Sequence, residues 1–220
     1  MKRTILLYIA IIIVAIANAA TPWKAGTKVS ANTIKQQGIE KFFAIDTISN
    51  EVYHRIANKS LPKNNHISRH DLRYLRLLHY DIQGNILRGE MVCNKAIAHD
   101  LVEIFRTLFE SRYPIERMQL IDDYAANDDL SMSHNNTSCF CYRPVAGLAV
   151  DINPFYNPCV KIRKGKRIVQ PASAIKWADR TKSSRYTLSP NDLCYRLFIK
   201  HGFRWGGAWR TTKDYQHFEK

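Results

Sequence analysis

The sequence predicts one domain of mixed helices and strands behind a short leader, and three observations carry that expectation. Alternating residues from Leu72 to Cys93, interrupted by Gln83-Gly84-Asn85, predict a hairpin. Ile97, Leu101, Ile104, Phe105 and Leu108 fall at helical spacing. Leu148 and Val150 alternate with Ala149 and Asp151, and Tyr215, His217 and Glu219 alternate with Gln216 and Phe218, so two short strands are expected late in the chain. No internal repeat or heptad is visible, which argues against a solenoid or a coiled coil.

The leader opens Met1-Lys2-Arg3, runs uncharged from Ile5 to Ala17 and closes Ala17-Asn18-Ala19. That pattern predicts a cleaved secretory signal over residues 1–19, and a retained anchor would need about 20 apolar residues. No cysteine follows the cleavage site, so lipid attachment is not expected there. The expected location is therefore exported, in a periplasm or cell envelope, with no stable membrane span after cleavage. About 200 residues remain, enough for one domain with a real core. Residues 20–70 read as a polar extension, with one or two short helices between Ile34 and Ile56 and a loop from Lys59 to Asn65. Residues 71–220 form the main domain.

Within that domain Asn94 is the expected cap of the central helix and Tyr113-Pro114 its end, with His99 and Asp100 on the solvent face. Asp122 to Arg143 reads as a long polar connection, of the kind that is usually functional or mobile. Asn153-Pro154 breaks the strand that contains Asp151. Lys161 to Arg167 is expected to be an exposed basic turn, with polymer contact as the alternative role. Ser189-Pro190-Asn191-Asp192 reads as a helix start with proline at the first helical position. Leu193, Leu197 and Phe198 supply its apolar stripe and Gly202 its end.

The formal charge of +14 points to an anionic partner. No helix-turn-helix, finger or aromatic RNA-binding signature accompanies it, so a cell-wall polymer is expected rather than nucleic acid. The cysteines Cys93, Cys139, Cys141, Cys159 and Cys194 are odd in number, so at least one is unpaired, metal-bound or intermolecular. They contain no C-x-x-C, which argues against a cysteine-only zinc site, and a Cys159–Cys194 disulfide stays open.

Hydrolysis by zinc needs three protein ligands, an open position for water and a nearby base. Imidazole and carboxylate together suit that ion. If the strands containing Asp151 and His217 are neighbours, both side chains face one groove. Asp214, three residues before His217, then reaches the same water as a base. Arg143 offers fixed guanidinium donors for a developing oxyanion.

The residues that carry a family resemblance follow in order: Asn135 to Arg143, Gly147 to Pro154, Gly202 to Gly207 and Asp214 to Glu219. They resemble the D-alanyl-D-alanine carboxypeptidase family of envelope zinc peptidases, in the wider lysostaphin and hedgehog-like structural group. The likeness runs from near Leu72 to Lys220. It implies an α+β fold, with a small antiparallel sheet carrying the zinc site and flanked by helices. It implies a zinc metallopeptidase that hydrolyses peptide bonds at D-amino acids in peptidoglycan stem peptides. Asp151 and His217 are the implied zinc ligands, Asp214 the base, Arg143 the transition-state arginine, and Tyr142, Trp205 and Tyr215 the substrate contacts. The family's first metal motif reads Ser-x-His-x-x-Gly-x-Ala-x-Asp. Gly147, Ala149 and Asp151 keep its second half, while Tyr142 and Pro144 stand where serine and histidine belong. The simplest account is a deletion of a short loop before Val145. His134, seventeen residues before Asp151 instead of seven, is one substitute ligand, and Cys139 or Cys141 another. Ala208 also stands where relatives often carry aspartate. The alternative function is a catalytically impaired relative that binds peptidoglycan without cleaving it.

Overall fold

A computed structural model describes residues 22–63, 66–141, 147–182 and 184–220. Its first helix, α1 (Ala31–Gln37), is capped by Ser30, whose hydroxyl accepts from the Thr33 amide. Strand β1 (Ala44–Thr47) and helix α2 (Asn50–Ile56) follow, the latter capped by Ser49. Both short helices agree with the expectation for this stretch, whereas β1 was not foreseen.

The hairpin forms as expected from β2 (Leu72–Tyr80) and β3 (Ile86–Asn94), paired antiparallel from Leu72↔Asn94 to Tyr80↔Ile86. Asp81 shapes its loop by accepting from the amides of Gln83 and Asn85 and from the Asn85 side chain. Gly84 takes the positive φ of 83° that this turn requires. Strand β1 adds to the other edge of β2, giving the order β1-β2-β3.

Asn94 caps a short 3-10 turn, after which α3 (Ala98–Glu110) runs one residue-type stripe into the core. Leu101, Ile104, Phe105 and Leu108 are all buried there, with Leu75, Leu77 and Met91 of the hairpin in the same cluster. A second cluster gathers Ile56, Leu72, Tyr74, Val92, Leu120 and Phe140. Asp100 is not simply a solvent-face residue. Its carboxylate accepts from Lys220 Nζ at 2.7 Å and pairs with His201 Nδ1 at 3.1 Å, joining α3 to the chain's last residue.

His79 is a buried imidazole inside β2, with Nδ1 2.6 Å from the Ile115 carbonyl. Burial pulls its pKa down to about 4, against the smaller upward pull of the Ile115 carbonyl and the Asp81 charge. The unfolded imidazole takes its proton near pH 6.5, so this contribution to stability is complete above that pH. It is lost as the pH falls from 6.5 through 4, by roughly 3 kcal/mol in total. Urea midpoints across that window should show the loss, and His79→Asn, which keeps a donor and cannot titrate, should flatten it. An unchanged slope in the variant would rule out His79 as its source.

As far as Cys141, the last described residue before 147, the stretch expected to be a long polar connection is built into regular elements. Strand β4 (Arg117–Met118) leads to helix α4 (Asp128–Ser133), capped by Asn127, and then to β5 (Asn136–Thr137), which pairs parallel with β4. Asn135 and Asn136 are buried and act as backbone partners. The Asn136 side chain accepts from the Gln119 amide and donates to the Gln119 carbonyl and to Ser131 Oγ.

Strand β6 (Ala149–Asp151) is as expected and stops two residues before Asn153, which holds φ 44°. The basic turn proves to be the tip of a hairpin, β7 (Cys159–Arg163) and β8 (Lys166–Gln170), with Lys164 and Gly165 both at positive φ. The helix expected to start at Ser189-Pro190 starts later, as α5 (Leu193–Lys200). Asp192 is the cap because its Oδ1 accepts from the amides of Cys194 and Tyr195 and also from the Tyr113 hydroxyl. Gly202 follows the helix end at φ 83°, as expected. The last strands are β9 (Arg204–Trp205), β10 (Thr212–Asp214) and β11 (His217–Glu219).

These late strands form two small antiparallel sheets, β6-β11-β9 and β10-β7-β8. The molecule is therefore α+β, with small antiparallel sheets among helices. Phe218 anchors the first of these sheets by stacking on Phe198 of α5 at 4.3 Å, and Phe198 meets Phe105 of α3 edge-on. All five cysteines are free thiols, so the Cys159–Cys194 disulfide is not formed. Among the described residues no helix is long and apolar enough to cross a membrane.

Candidate active site

Phe218 is fully buried, and side chains alternate along a strand, so His217 and Glu219 must face away from the core. Strand β11 pairs with β6 so that His217 lies opposite Asp151. Their side chains meet, with His217 Nδ1 2.9 Å from Asp151 Oδ1. Asp214 belongs to the other sheet, opposite Cys159. The two-residue bend Tyr215-Gln216 between β10 and β11 brings Asp214 round to the same cavity as the Asp151–His217 pair. This cavity, about 460 Å³, is also lined by Cys139, Cys141, Lys161 and Trp209.

Glycine makes that bend fit. A Cβ on Gly206 would stand 2.7 Å from the Asp214 carbonyl oxygen and 3.1 Å from the His217 Cβ. A Cβ on Gly207 would overlap the Trp205 indole, at 2.3 Å. The Gly-Gly pair thus lets one turn of chain lie directly against the backbone that presents both side chains.

The electrostatics set the groups apart. Burial, with the neighbouring Asp151 charge, pushes the Asp214 carboxyl up to about 7, against opposing help from His217, Cys159 and Gln216. Burial also works against a charged imidazole at His217. The Asp151 hydrogen bond and the charges of Asp151, Asp214 and Glu219 together outweigh it and lift that group to about 9. Burial and the Asp214 charge push the Cys159 thiol up to about 12, so it stays protonated beside the carboxylate. Asp214 Oδ1 and Gln216 Oε1 are buried without a hydrogen-bond partner among the described residues. Two unsatisfied acceptors at one cavity call for a donor or a cation there.

As a test of zinc, the carboxylate–imidazole pair Asp151 and His217 has the right chemistry for two positions. The count falls one short, since no group of three His, Cys, Asp or Glu among the described residues is placed to hold a metal. Tyr142, Arg143 and Pro144 lie outside the described residues, as do Val145 and Ala146, and none of the five is His, Cys, Asp or Glu.

His134 does not come to the site. Its Nδ1 lies 2.8 Å from the Leu130 carbonyl at the end of its own helix, and its ring faces Tyr124 at 5.4 Å. Cys139 and Cys141 do line the cavity, but burial holds the Cys139 thiol well above its ordinary pKa, with added upward pulls from Cys93 and Asp151. Trp205 and Tyr215 are also elsewhere. Tyr215 lies in the bend between β10 and β11 and does not line the cavity that Asp214 and Gln216 line. Its carbonyl accepts from Trp205 Nε1 at 2.9 Å, its ring lies 4.3 Å from the Arg180 guanidinium, and both aromatics border a separate groove. The aromatic at the cavity is Trp209, whose ring centroid is 5.3 Å from that of His217. Its place in Gly206-Gly207-Ala208-Trp209 is the one sequence signal that pointed to it.

No curated protein and no solved structure matches the chain. Residues 145–220, the segment that carries Asp151, Asp214 and His217, match the family model for D-alanyl-D-alanine carboxypeptidase, which supports the peptidase family that the sequence motifs resemble.

Proposed function

We propose that the protein is a peptidoglycan-directed metallopeptidase that hydrolyses peptide bonds at D-amino acids. The convergence of Asp151, His217 and Asp214 on one cavity, from three strands in two sheets, carries this reading. Asp214 suits the base, because a buried carboxyl with a pKa near neutrality takes and returns a proton readily. Cys159 lies opposite Asp214 in the β7–β10 pairing, beside that carboxylate. Asp151 fixes the His217 ring by hydrogen bonding Nδ1, and Trp209 walls it from one side. Asp151 and His217 would hold zinc, which when bound supplies a polarised water and carbonyl. Arg143, from the segment before β6, is the proposed donor to the oxyanion, and Tyr142 a substrate contact. The expected setting is the periplasm or cell envelope, after removal of residues 1–19.

The missing third donor favours one other reading, a relative that binds stem peptides without cutting them. Zinc content and hydrolysis, measured on one preparation, separate the two. The peptidase should hold near one zinc per chain, lose hydrolysis of a D-Ala-D-Ala peptide on chelation and regain it on zinc addition. Protein that binds the peptide, contains no zinc and releases no D-alanine would establish the binder.

A further inference from the structure

The basic stretch Lys161 to Arg167 has no part in the proposed chemistry, yet the fold connects it directly to the reactive cavity. Cys159, Lys161 and Arg163 alternate along β7 and so share one face of it. Cys159 sits beside Asp214 in the first cavity. Arg163 lines a second groove of about 590 Å³. Lys161 and its partner Gln170 line both, so they form the wall where one opens into the other.

Lys161 is half-buried, unlike the rest of the basic stretch from Ile162 to Arg167, which is exposed. Its Nζ donates to Gln170 Oε1 at 2.6 Å, and the Gln170 amide donates to Asp129 Oδ1 on the facing wall at 3.2 Å. An ammonium has three N–H donors, so two remain for a ligand. Asp129, the acidic group of this groove, accepts from Gln170 and keeps its charge, so the two cations Lys161 and Arg163 leave the groove lining net positive. The Arg163 side chain makes no hydrogen bond or ion pair among the described residues and adds a second positive charge further along the same face.

We infer that Lys161, supported by Arg163, is a specificity site for a side-chain carboxylate on the acyl side of the peptide substrate. The inference rests on the peptidase-like reading of the cavity and adds the substrate class. Along β7, Lys161 stands about 7 Å beyond Cys159, the length of about two extended residues. The favoured substrate therefore carries its carboxylate about two residues before the scissile carbonyl. A peptide with an amide at that position offers Lys161 no charge to pair with.

The test uses the full chain with Asp214→Asn, so that binding is read without turnover. Two synthetic pentapeptides ending in two D-alanines, one with a side-chain carboxylate at that position and one with the amide, are titrated by calorimetry at low and high salt. The acid should bind roughly tenfold more tightly at low salt, as expected for a charge-assisted hydrogen bond, and the preference should shrink as salt screens it. Lys161→Gln, which keeps the length and removes the charge, should bring the two dissociation constants together. Arg163→Ala should narrow the gap, and Lys164→Ala, at the hairpin tip outside both cavities, should leave it intact. Circular dichroism of each variant confirms folding. Equal binding of the two peptides to the Asp214→Asn protein would overturn the Lys161 assignment alone. Binding of neither would overturn it together with the peptidase reading.

Discussion

Replacing Asp214 with asparagine should lower turnover of a D-Ala-D-Ala peptide by about 10²–10⁴-fold while leaving the protein folded. The amide has the size of the carboxylate but takes up no proton. Its stability effect should run the other way from its activity effect. Asp214 is buried, one of its oxygens has no partner among the described residues, and Asp151 adds a like charge nearby. Such a group destabilises the fold it serves, as functional sites commonly do. The thermal midpoint of Asp214→Asn should therefore match or exceed that of the parent. A variant that loses activity and melts much earlier would show that Asp214 is structural, and the assignment as base would fall.

Replacing Arg55 with alanine should cost about 3–5 kcal/mol, the largest stability loss expected from any single substitution considered. Glu90 is 2 % exposed in β3, and its carboxylate accepts from both terminal nitrogens of Arg55 and from the Tyr74 hydroxyl. Without the guanidinium a buried carboxylate is left with one neutral donor. Arg55 lies on α2, so this pair adds to the apolar packing of Val52 and Ile56 in fastening that helix to the hairpin; Asp123 adds a weaker, exposed contact. The double variant Arg55→Leu with Glu90→Leu should recover much of the loss, because neither charge then needs a partner. Chemical denaturation of the three proteins measures this. A single variant within about 0.5 kcal/mol of the parent would mean that the pair contributes nothing beyond an exposed contact.

Strong periodicity made part of this fold legible. The hairpin Leu72–Asn94 and the helix Ala98–Glu110 have long runs whose apolar positions allow one arrangement each. The short strands near Asp151 and His217 were also legible, because two residues of alternation around a buried Val150 or Phe218 fix which side chains face outward. What was missed shares a cause. Ala44–Thr47 is too short to show a period, and it is a strand only because β2 offers an open edge. Asn135 and Asn136 read as part of a polar connection and Asn153 as a strand breaker, yet these and Asn157 are buried as hydrogen-bond partners of groups distant in sequence. Asn157 Oδ1, for example, accepts from the Leu188 amide and its Nδ2 donates to the Tyr186 carbonyl. Trp205 and Tyr215 looked like substrate contacts by motif, but the bend that turns Asp214 and Gln216 into the cavity turns Tyr215 out of it.

By itself, the sequence determined the elements with a strong local period, the family resemblance of the C-terminal segment, and the absence of a histidine at position 144. Only the tertiary structure decided that Asp151 and His217 touch, that Asp214 arrives from a second sheet, and that His134 stays on its own helix. Local pattern specifies which way a side chain points from its own strand. Which strands become neighbours depends on apolar contacts between distant segments, here Phe105, Phe198 and Phe218, and no window of sequence contains all three.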